Sequence, residues 1–441
     1  MPLITDAPPP SEAALVRALG VRQLTAAIVN TTVGAGIFVL PALVSQGLGG
    51  AAPIAFLVCA AIMALVSITL AMAGSRVALT GGIYAYAEVA FGPFVAFLAG
   101  VLQWLSALLA VSGVAAALID QVAALTSGVG AHAAHVAALA LVLATLASLN
   151  ARGVRVGARL IEAVTVAKLL PLLVFVGVGA FFVSPSAIAW PGLPDGEALG
   201  RTVLLLIFAY VGVEVALAPG GEVSDPARTV PRALFLALGV TTLLYVAIQL
   251  VAQGVLGARL SQETAAPLAQ GAGRFLGRAG VMLMLLGAVC SMFGYLCGDM
   301  LSTPRSWYAL ARDGFLPGPL TRIHPISRTP SVAIWTHAML VLVLASTNTF
   351  EGLAIIANVA LLGLYLLCCA AALQLTRRDT RVEASTPFAM RGATVFPIAA
   401  AALMLWVLST ATLREIAVTA LVLAVATLVY VVQKQRQSIE R

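Results

Sequence analysis

The chain has 441 residues, 61% of them hydrophobic and only 10% charged, with a formal net charge of +7 and a mean hydropathy of +1.02. An ordinary soluble domain carries about 25% charged residues, so this composition excludes one and indicates a polytopic membrane protein. The positive balance does not describe a nucleic-acid surface, because the charges stand singly in short loops without interleaved aromatic residues.

Residues 1–21 are rich in Pro and Ala and read as a short cytoplasmic tail. They lack the basic stretch, apolar core and cleavage site of a removable signal peptide. At about 20 mostly apolar residues per crossing, the rest of the chain predicts twelve membrane helices. They fall at 22–45, 52–78, 93–118, 134–150, 158–183, 200–220, 232–256, 277–307, 331–347, 351–375, 394–412 and 414–433, with a second tail at 434–441. With the N-terminus cytoplasmic, 19 Lys and Arg lie in cytoplasmic segments and 5 in external ones, and Lys168 lies within a span. That asymmetry predicts both termini inside. The preference for Arg over Lys fits a GC-rich bacterial genome, hence a bacterial cytoplasmic (inner) membrane.

The first span contains Thr31-Thr32-Val33-Gly34-Ala35-Gly36-Ile37-Phe38-Val39-Leu40-Pro41, and the sixth contains Val211-Gly212-Val213-Glu214-Val215-Ala216-Leu217-Ala218-Pro219. Both read Val-Gly, with a proline seven residues after the glycine. A helix interrupted inside lipid strands backbone donors and acceptors, which is tolerated only where they face protein, water or a ligand. Two such interruptions at corresponding places in two halves point to a transporter binding site. Gly34 and Gly212 are 178 residues apart. By span counting, helices 1–5 (22–183) and 6–10 (200–375) are then expected to form a 5+5 inverted repeat, with helices 1 and 6 discontinuous and helices 11 and 12 (394–433) outside it. The expected fold class is an all-α polytopic membrane protein of 12 transmembrane helices.

A break at Gly34-Ala35-Gly36 leaves a half-helix N-terminus near the membrane midplane, where free N–H groups and the positive dipole end suit a carboxylate. Glycine allows close approach to that backbone. The unwound stretch from Phe208 to Glu214 offers carbonyl oxygens for an ammonium group, so the two together suit a zwitterion such as an α-amino acid. The competing reading is that these small residues serve only tight helix packing. Lys168, about ten residues into helix 5, costs about 2.5–3.5 kcal/mol at mid-membrane and should face the interior. It is a candidate for taking up and releasing a proton during a cycle, or for standing in for a bound sodium ion against helix carbonyls. Snorkelling to the interface is the alternative.

Glu214, within the second break, reads as a proton carrier, a polar strut or a contact for a basic substrate. Phe208, just before the break, is placed to close over a ligand, with simple packing as the alternative. Asp299 and Arg305 read as a cytoplasmic-side structural or gating pair, and Asp120 as a solvated group at the external end of helix 3. His132 and His135 form an H-x-x-H pair without acidic or thiolate company, which is poor metal-site chemistry. His324 and His337 have no partner evident in the sequence. The five cysteines, Cys59, Cys290, Cys297, Cys368 and Cys369, sit in apolar segments and read as small buried hydrophobes. There is no G-x-x-x-x-G-K-[ST] and no paired acidic or serine–histidine motif, so neither an ATP-driven pump nor an enzyme is expected. No cofactor or metal is expected either.

Further stretches carry a family resemblance. They are Gly34-Ala35-Gly36-Ile37-Phe38, Gly81-Gly82-Ile83-Tyr84-Ala85-Tyr86, Asn150-Ala151-Arg152-Gly153 through Lys168, and Phe208-Ala209-Tyr210-Val211-Gly212-Val213-Glu214. Downstream stand Gly221-Glu222-Val223-Ser224-Asp225-Pro226-Ala227-Arg228-Thr229-Val230-Pro231 and Tyr308-Ala309-Leu310-Ala311-Arg312-Asp313-Gly314. Over residues 22 to 375 the chain resembles bacterial permeases of the amino acid–polyamine–organocation (APC) family, with the leucine-transporter-like fold. The resemblance implies a substrate carboxylate on the amides of Ala35, Gly36 and Ile37, and an α-amino group on the carbonyls of Thr32, Phe208 and Val211. It implies Phe208 as aromatic gate, and it matches Lys168 to the helix 5 lysine of sodium-independent members. Glu214 resembles the Gly-x-Glu of the arginine/agmatine exchanger branch. The expectation is a secondary active, sodium-independent amino acid transporter working by alternating access, as proton symporter or exchanger, for a neutral or broad-range amino acid. A basic amino acid or polyamine antiporter and a non-transporting membrane sensor are the alternatives. Its expected partners are the amino acid, a proton and the lipid bilayer, and both a monomer and a homodimer are compatible with the sequence.

Overall fold

The computed structural model describes residues 20–77, 82–126, 132–152, 158–189, 192–212, 226–312, 316–380, 382, 388 and 392–439, and among them the chain is all-helical, without strands. The first helix, α1 (Val21–Thr32), opens with the Gln23 side chain accepting from the Gly20 amide at 3.2 Å. It stops at Val33–Ala35, and α2 (Gly36–Leu48) resumes the path. A short turn at Gly49–Ala51 leads into α3 (Ala52–Arg76), followed by α4 (Ile83–Phe91) and the 34-residue α5 (Pro93–Thr126). At 1.5 Å per residue α5 runs for about 50 Å, longer than the hydrocarbon core is thick. Then come α6 (His132–Ala151) and α7 (Ala158–Gly179), which carries Pro171.

The second half opens with α8 (Gly196–Leu206). Asp195 caps it, its carboxylate accepting from the amides of Glu197 (2.9 Å) and Ala198 (3.1 Å). This helix tightens into a 3-10 turn at Ile207–Tyr210. Next are α9 (Pro226–Leu256) and α10 (Pro267–Arg312), the latter bent at Gly277, where φ is +59° and ψ −145°. The eighth predicted span begins at that bend. α11 (Ser331–Thr347), α12 (Phe350–Arg377), α13 (Val395–Ser409) and α14 (Leu413–Ile439) complete the chain. The α13–α14 boundary is set by a reciprocal cap, with Thr412 N donating to Glu415 (2.8 Å) and Glu415 N to the Thr412 hydroxyl (3.4 Å).

Among the described residues seven stretches of helix are long and apolar enough to cross a membrane, and three shorter apolar helices at Ala167–Phe182, Ser331–Thr347 and Val395–Ser409 join them. Large apolar side chains face outward along the periphery, among them Leu141, Leu173, Leu243, Leu421 and Leu428. In water such a surface would drive aggregation; facing lipid it is the expected exterior. The protein is a multi-pass membrane protein. Its interior is built on α5 against α10 and α12, and on α3 and α1 against α9. Close approaches use small residues: a Cβ on Gly287 of α10 would lie 2.6 Å from Pro171 of α7, and one on Gly254 of α9 2.5 Å from Val183.

Candidate functional site

The break in the first stretch is three residues long. Val33 N still reaches back to Val29 O (2.8 Å), Gly34 N turns onto Thr32 O (2.8 Å), and Phe38 N finds Ala35 O (3.2 Å). The last carbonyls of α1 and the first amides of α2 thus face one another without helical partners, with the Gly36 and Ile37 amides at the leading end of α2. Gly34 has space around it, whereas a Cβ on Gly36 would sit 3.0 Å from the Phe208 ring and 3.1 Å from Leu40. The Phe208 side chain, 9% exposed, therefore lies directly over Gly36. Its ring meets Phe350 of α12 edge-on at 5.2 Å.

The second break meets the first. After the 3-10 turn Val211 is extended (ψ 141°), and Gly212 takes φ +113°, in the left-handed region that glycine alone adopts readily. A Cβ on Gly212 would lie 3.1 Å from Thr31 C and 3.2 Å from Thr32 N. The glycine thus serves both the backbone conformation and the close approach. The Thr31 hydroxyl, bonded to Ala27 O (2.9 Å) and Ile28 O (3.0 Å), also lies 3.4 Å from Gly212 O. Thr32, Gly34, Ala35, Gly36, Ile37, Phe208 and Val211 are therefore brought into one place. Glu214 lies outside the described residues, as do Gly81, Gly153, Gly221 to Asp225, Asp313 and Gly314 of the quoted motifs.

Tyr245, in the middle of α9, is a residue that sequence reasoning missed. It is fully buried, and its hydroxyl lies 2.8 Å from Thr32 O and 3.0 Å from Ala209 O, one freed carbonyl from each break. One hydroxyl proton serves only one of them at a time. The same face of α9 carries Gln249, which donates to the Ser45 hydroxyl (2.9 Å), and Gln253, which donates to Gly50 O (3.1 Å). The signal was available: Thr241, Tyr245, Gln249 and Gln253 recur every fourth residue in a mostly apolar span. Asn358 of α12 does similar work, donating to Leu204 O (2.7 Å) and Leu205 O (3.1 Å) where α8 begins to tighten.

Lys168 comes to the same centre. It is 8% exposed, and its ammonium donates to Asn30 O, one of the α1 carbonyls that the break leaves without a helical donor. A cation at the negative end of a half-helix is favourable on dipole grounds as well. The two halves of the broken stretch differ in surroundings. On α1, Leu24, Ile28 and Thr32 are buried at four-residue spacing, while Gln23, Ala27 and Thr31 on the neighbouring face are exposed. On α2 every residue from Gly36 to Ser45 is buried.

Other polar groups predicted from sequence end up elsewhere. Asp299 does not pair with Arg305. Its carboxylate lies 2.7 Å from His337 Nε2, and Arg305 donates to Leu301 O of its own helix. Residues six apart on a helix project to different sides, whereas α11 packs against α10 and brings His337 in. His135 does have acidic company: Asp120 of α5 lies 3.9 Å from its Nδ1. Among the described residues no group of three His, Cys, Asp or Glu could hold a metal ion. All five cysteines are free, with Cys59, Cys368 and Cys369 fully buried.

Comparison with known proteins gives a consistent picture. The family model described as amino acid permease matches residues 19–437. The chain is 27% identical to the methylthioribose transporter of Bacillus subtilis, over 99% of this chain and 98% of that one. It is 28% identical to the branched-chain amino acid permease BcaP of the same organism, over 83% of each. It is also 28% identical to the serine/threonine exchanger SteT of B. subtilis, over 75% of this chain and 76% of that one.

Proposed function

The chain belongs to the amino acid permease family of APC transporters, and from that premise we propose that it is a sodium-independent secondary transporter for a neutral amino acid. The observation that carries this reading is the meeting of two helix breaks, with Gly212 packed on Thr31–Thr32 and Lys168 on Asn30 O. Such a centre presents amides and carbonyls within one small volume. The amides of Ala35, Gly36 and Ile37 would take the carboxylate. The carbonyls of Phe208 and Val211 would take the ammonium, with Thr32 O joining when the Tyr245 hydroxyl turns to Ala209 O. Thr32 O already accepts from Gly34 N at 2.8 Å and Tyr245 at 2.8 Å, so its second lone pair is free for substrate only after that turn.

The side-chain surroundings are apolar, with Phe208 and Leu40 against Gly36 and Phe350 edge-on to the Phe208 ring. This supports a neutral amino acid, in keeping with the branched-chain and serine/threonine names of two relatives. Phe208 is the gate in this reading. The exposed polar face of α1 and the buried α2 support a state open on one side only, as alternating access requires. With both termini cytoplasmic, the open side is the inner one. The five-plus-five inverted halves and the twelve crossings belong to the same proposal. So does proton coupling or exchange without sodium, since the Lys168 ammonium holds a carbonyl that a cation would otherwise attract.

A second reading rests on the methylthioribose transporter, whose named substrate has neither carboxylate nor ammonium. Counterflow into proteoliposomes distinguishes the two. Preloaded vesicles are offered each common amino acid, arginine, polyamines and methylthioribose, with and without a pH gradient. Saturable exchange of a neutral amino acid supports the proposal. Exchange of methylthioribose alone replaces it with the second reading, and binding without uptake or counterflow makes the protein a sensor.

A further inference from the structure

Away from the broken helices, a second group of buried polar side chains has no part in the site described above. Asp299 of α10 and His337 of α11 lie 2.7 Å apart, with side chains 7% and 0% exposed. The other carboxylate oxygen, Asp299 Oδ1, accepts from the Thr303 hydroxyl at 2.7 Å. The second ring nitrogen, His337 Nδ1, is buried without a protein hydrogen-bond partner. Trp307 of α10 stands edge-on to His337 at 6.4 Å and to Trp104 of α5 at 5.1 Å, and both indole N–H groups are likewise buried and unpartnered.

Intramembrane ionisable side chains are costly and mark ion or proton sites. Buried side-chain nitrogens are mostly hydrogen-bonded, to protein or to water. Here Nε2 faces a carboxylate while Nδ1 is bonded to nothing in the protein, so the ring can gain or lose a proton without breaking a protein hydrogen bond. With neutral imidazole and ionised carboxylate the pair carries a net charge of −1, and one added proton makes it neutral.

The surrounding elements bring no second charge onto the pair among the described side chains. α5 carries only Asp120, at its far exposed end beside His135 of α6, and Arg152 follows that helix. α7 carries Lys168, engaged with Asn30 O. α9 carries Arg228 and Arg232 in its first turns and Tyr245 at the breaks. α2 and residues 318–321 carry no titratable side chain, and Arg322 follows the latter. On α10, Arg305 is turned to Leu301 O, Arg274 and Arg278 lie toward the opposite end, and Arg312 closes the last turn. Its remaining titratable groups are Cys290, Tyr295, Cys297 and Tyr308.

We propose that Asp299 and His337 form an intramembrane proton-binding site, separate from the broken-helix centre, whose occupancy sets the pH response of the protein. The second half of that statement rests on the transporter reading; the first does not. α10 is the physical link. Gly287, against Pro171 of the lysine-bearing α7, and Asp299 are twelve residues apart on it, about 18 Å. A change in net charge at Asp299–His337 therefore acts on a helix that also packs against the Lys168 helix.

The test begins with proton binding itself. The chain has four histidines, so imidazole 15N spectra of histidine-labelled protein in nanodiscs are simple. His337→Gln assigns the signal, and subtraction with His132→Gln, His135→Gln and His324→Gln assigns it if that variant does not fold. The expected result is a reversible one-proton titration of His337 between pH 5 and 9 whose midpoint moves by one pH unit or more in Asp299→Asn. A His337 signal unchanged over that range, or a midpoint unchanged in Asp299→Asn, overturns the site. The second arm is the pH profile of counterflow. Both variants should flatten or displace it while the substrate affinity stays within about threefold of wild type. A titrating His337 with an unaltered transport profile overturns the coupling. Absence of counterflow in the wild type overturns the transporter reading, while the spectra still decide whether the proton site exists.

Discussion

The two polar centres of this protein are built in opposite ways. At the helix breaks the working groups belong to the backbone: amides of Gly36 and Ile37, carbonyls of Asn30, Thr32 and Ala209, with Lys168 and Tyr245 holding the carbonyls. Between α10 and α11 the helices carry no break near the pair, and the groups brought together are side chains, Asp299, His337 and Thr303. A backbone site offers donors and acceptors over several residues, which is what the zwitterion proposed above would need. The side-chain pair has one carboxylate and one imidazole, which suits nothing larger than a proton. The difference gives each centre its own signature under mutation: shape and affinity at the first, pH dependence at the second.

The largest effect is expected from filling the first centre. Gly36→Leu puts a side chain where even a Cβ would lie 3.0 Å from the Phe208 ring. We expect at least ~100-fold weaker substrate binding, about 2.7 kcal/mol, in protein that still purifies as a folded species. Adding Phe208→Ala should return part of the affinity, because the added bulk then has space. Retained affinity in Gly36→Leu would make the break a packing device. Next is Lys168→Ala, which leaves Asn30 O without its ammonium. Counterflow should fall at least ~10-fold, about 1.4 kcal/mol, with insertion unchanged. A wild-type rate in this variant would remove the lysine from the mechanism.

The first centre is largely legible in the sequence because glycine and proline report backbone events directly. Gly34, Gly36 and Gly212 stand where a membrane helix should be continuous, and the structure puts positive φ and sub-3.3 Å approaches at Gly212. Lys168 is legible for a different reason: a lone cation in an apolar span needs a partner, although nothing in its neighbourhood names Asn30. That the chain is a run of apolar helices is legible from hydropathy, and the predicted start of one span at residue 277 coincides with the bend of α10 at Gly277. The second centre is not. Asp299 and His337 are 38 residues apart, each looks solitary in its span, and only the packing of α11 on α10 decides that Asp299 faces His337 and not Arg305. Tyr245 is legible only in part: its spacing with Gln249 and Gln253 marks a polar stripe, but its two carbonyl partners belong to distant segments.

A smaller effect separates support from contact at the first centre. Tyr245→Phe removes the hydroxyl shared between Thr32 O and Ala209 O, costing about 0.5–1.5 kcal/mol for a typical bond. If the hydroxyl turns away to admit the substrate ammonium, the loss appears as an altered KM of roughly 3–10-fold, measured by concentration-dependent counterflow. If the hydroxyl only braces the two breaks, thermal stability falls and KM stays put. The pH profile should keep its wild-type form in either case, because α9 contributes nothing to the Asp299–His337 pair.

The smallest effect tests whether the two centres are separate at all. Thr303→Val keeps the shape of the side chain and removes the hydrogen bond to Asp299 Oδ1, now 2.7 Å. That bond favours the ionised carboxylate, and its loss is worth about 1 kcal/mol, which corresponds to less than about one pH unit. The His337 titration and the counterflow pH profile should therefore move together by a few tenths of a unit. Substrate affinity at the optimum should not move, since Thr303 is on an intact helix and touches neither break. A loss of affinity as large as the change in pH midpoint would mean that the carboxylate and the broken helices belong to a single site, and the division drawn between backbone and side-chain centres would fall.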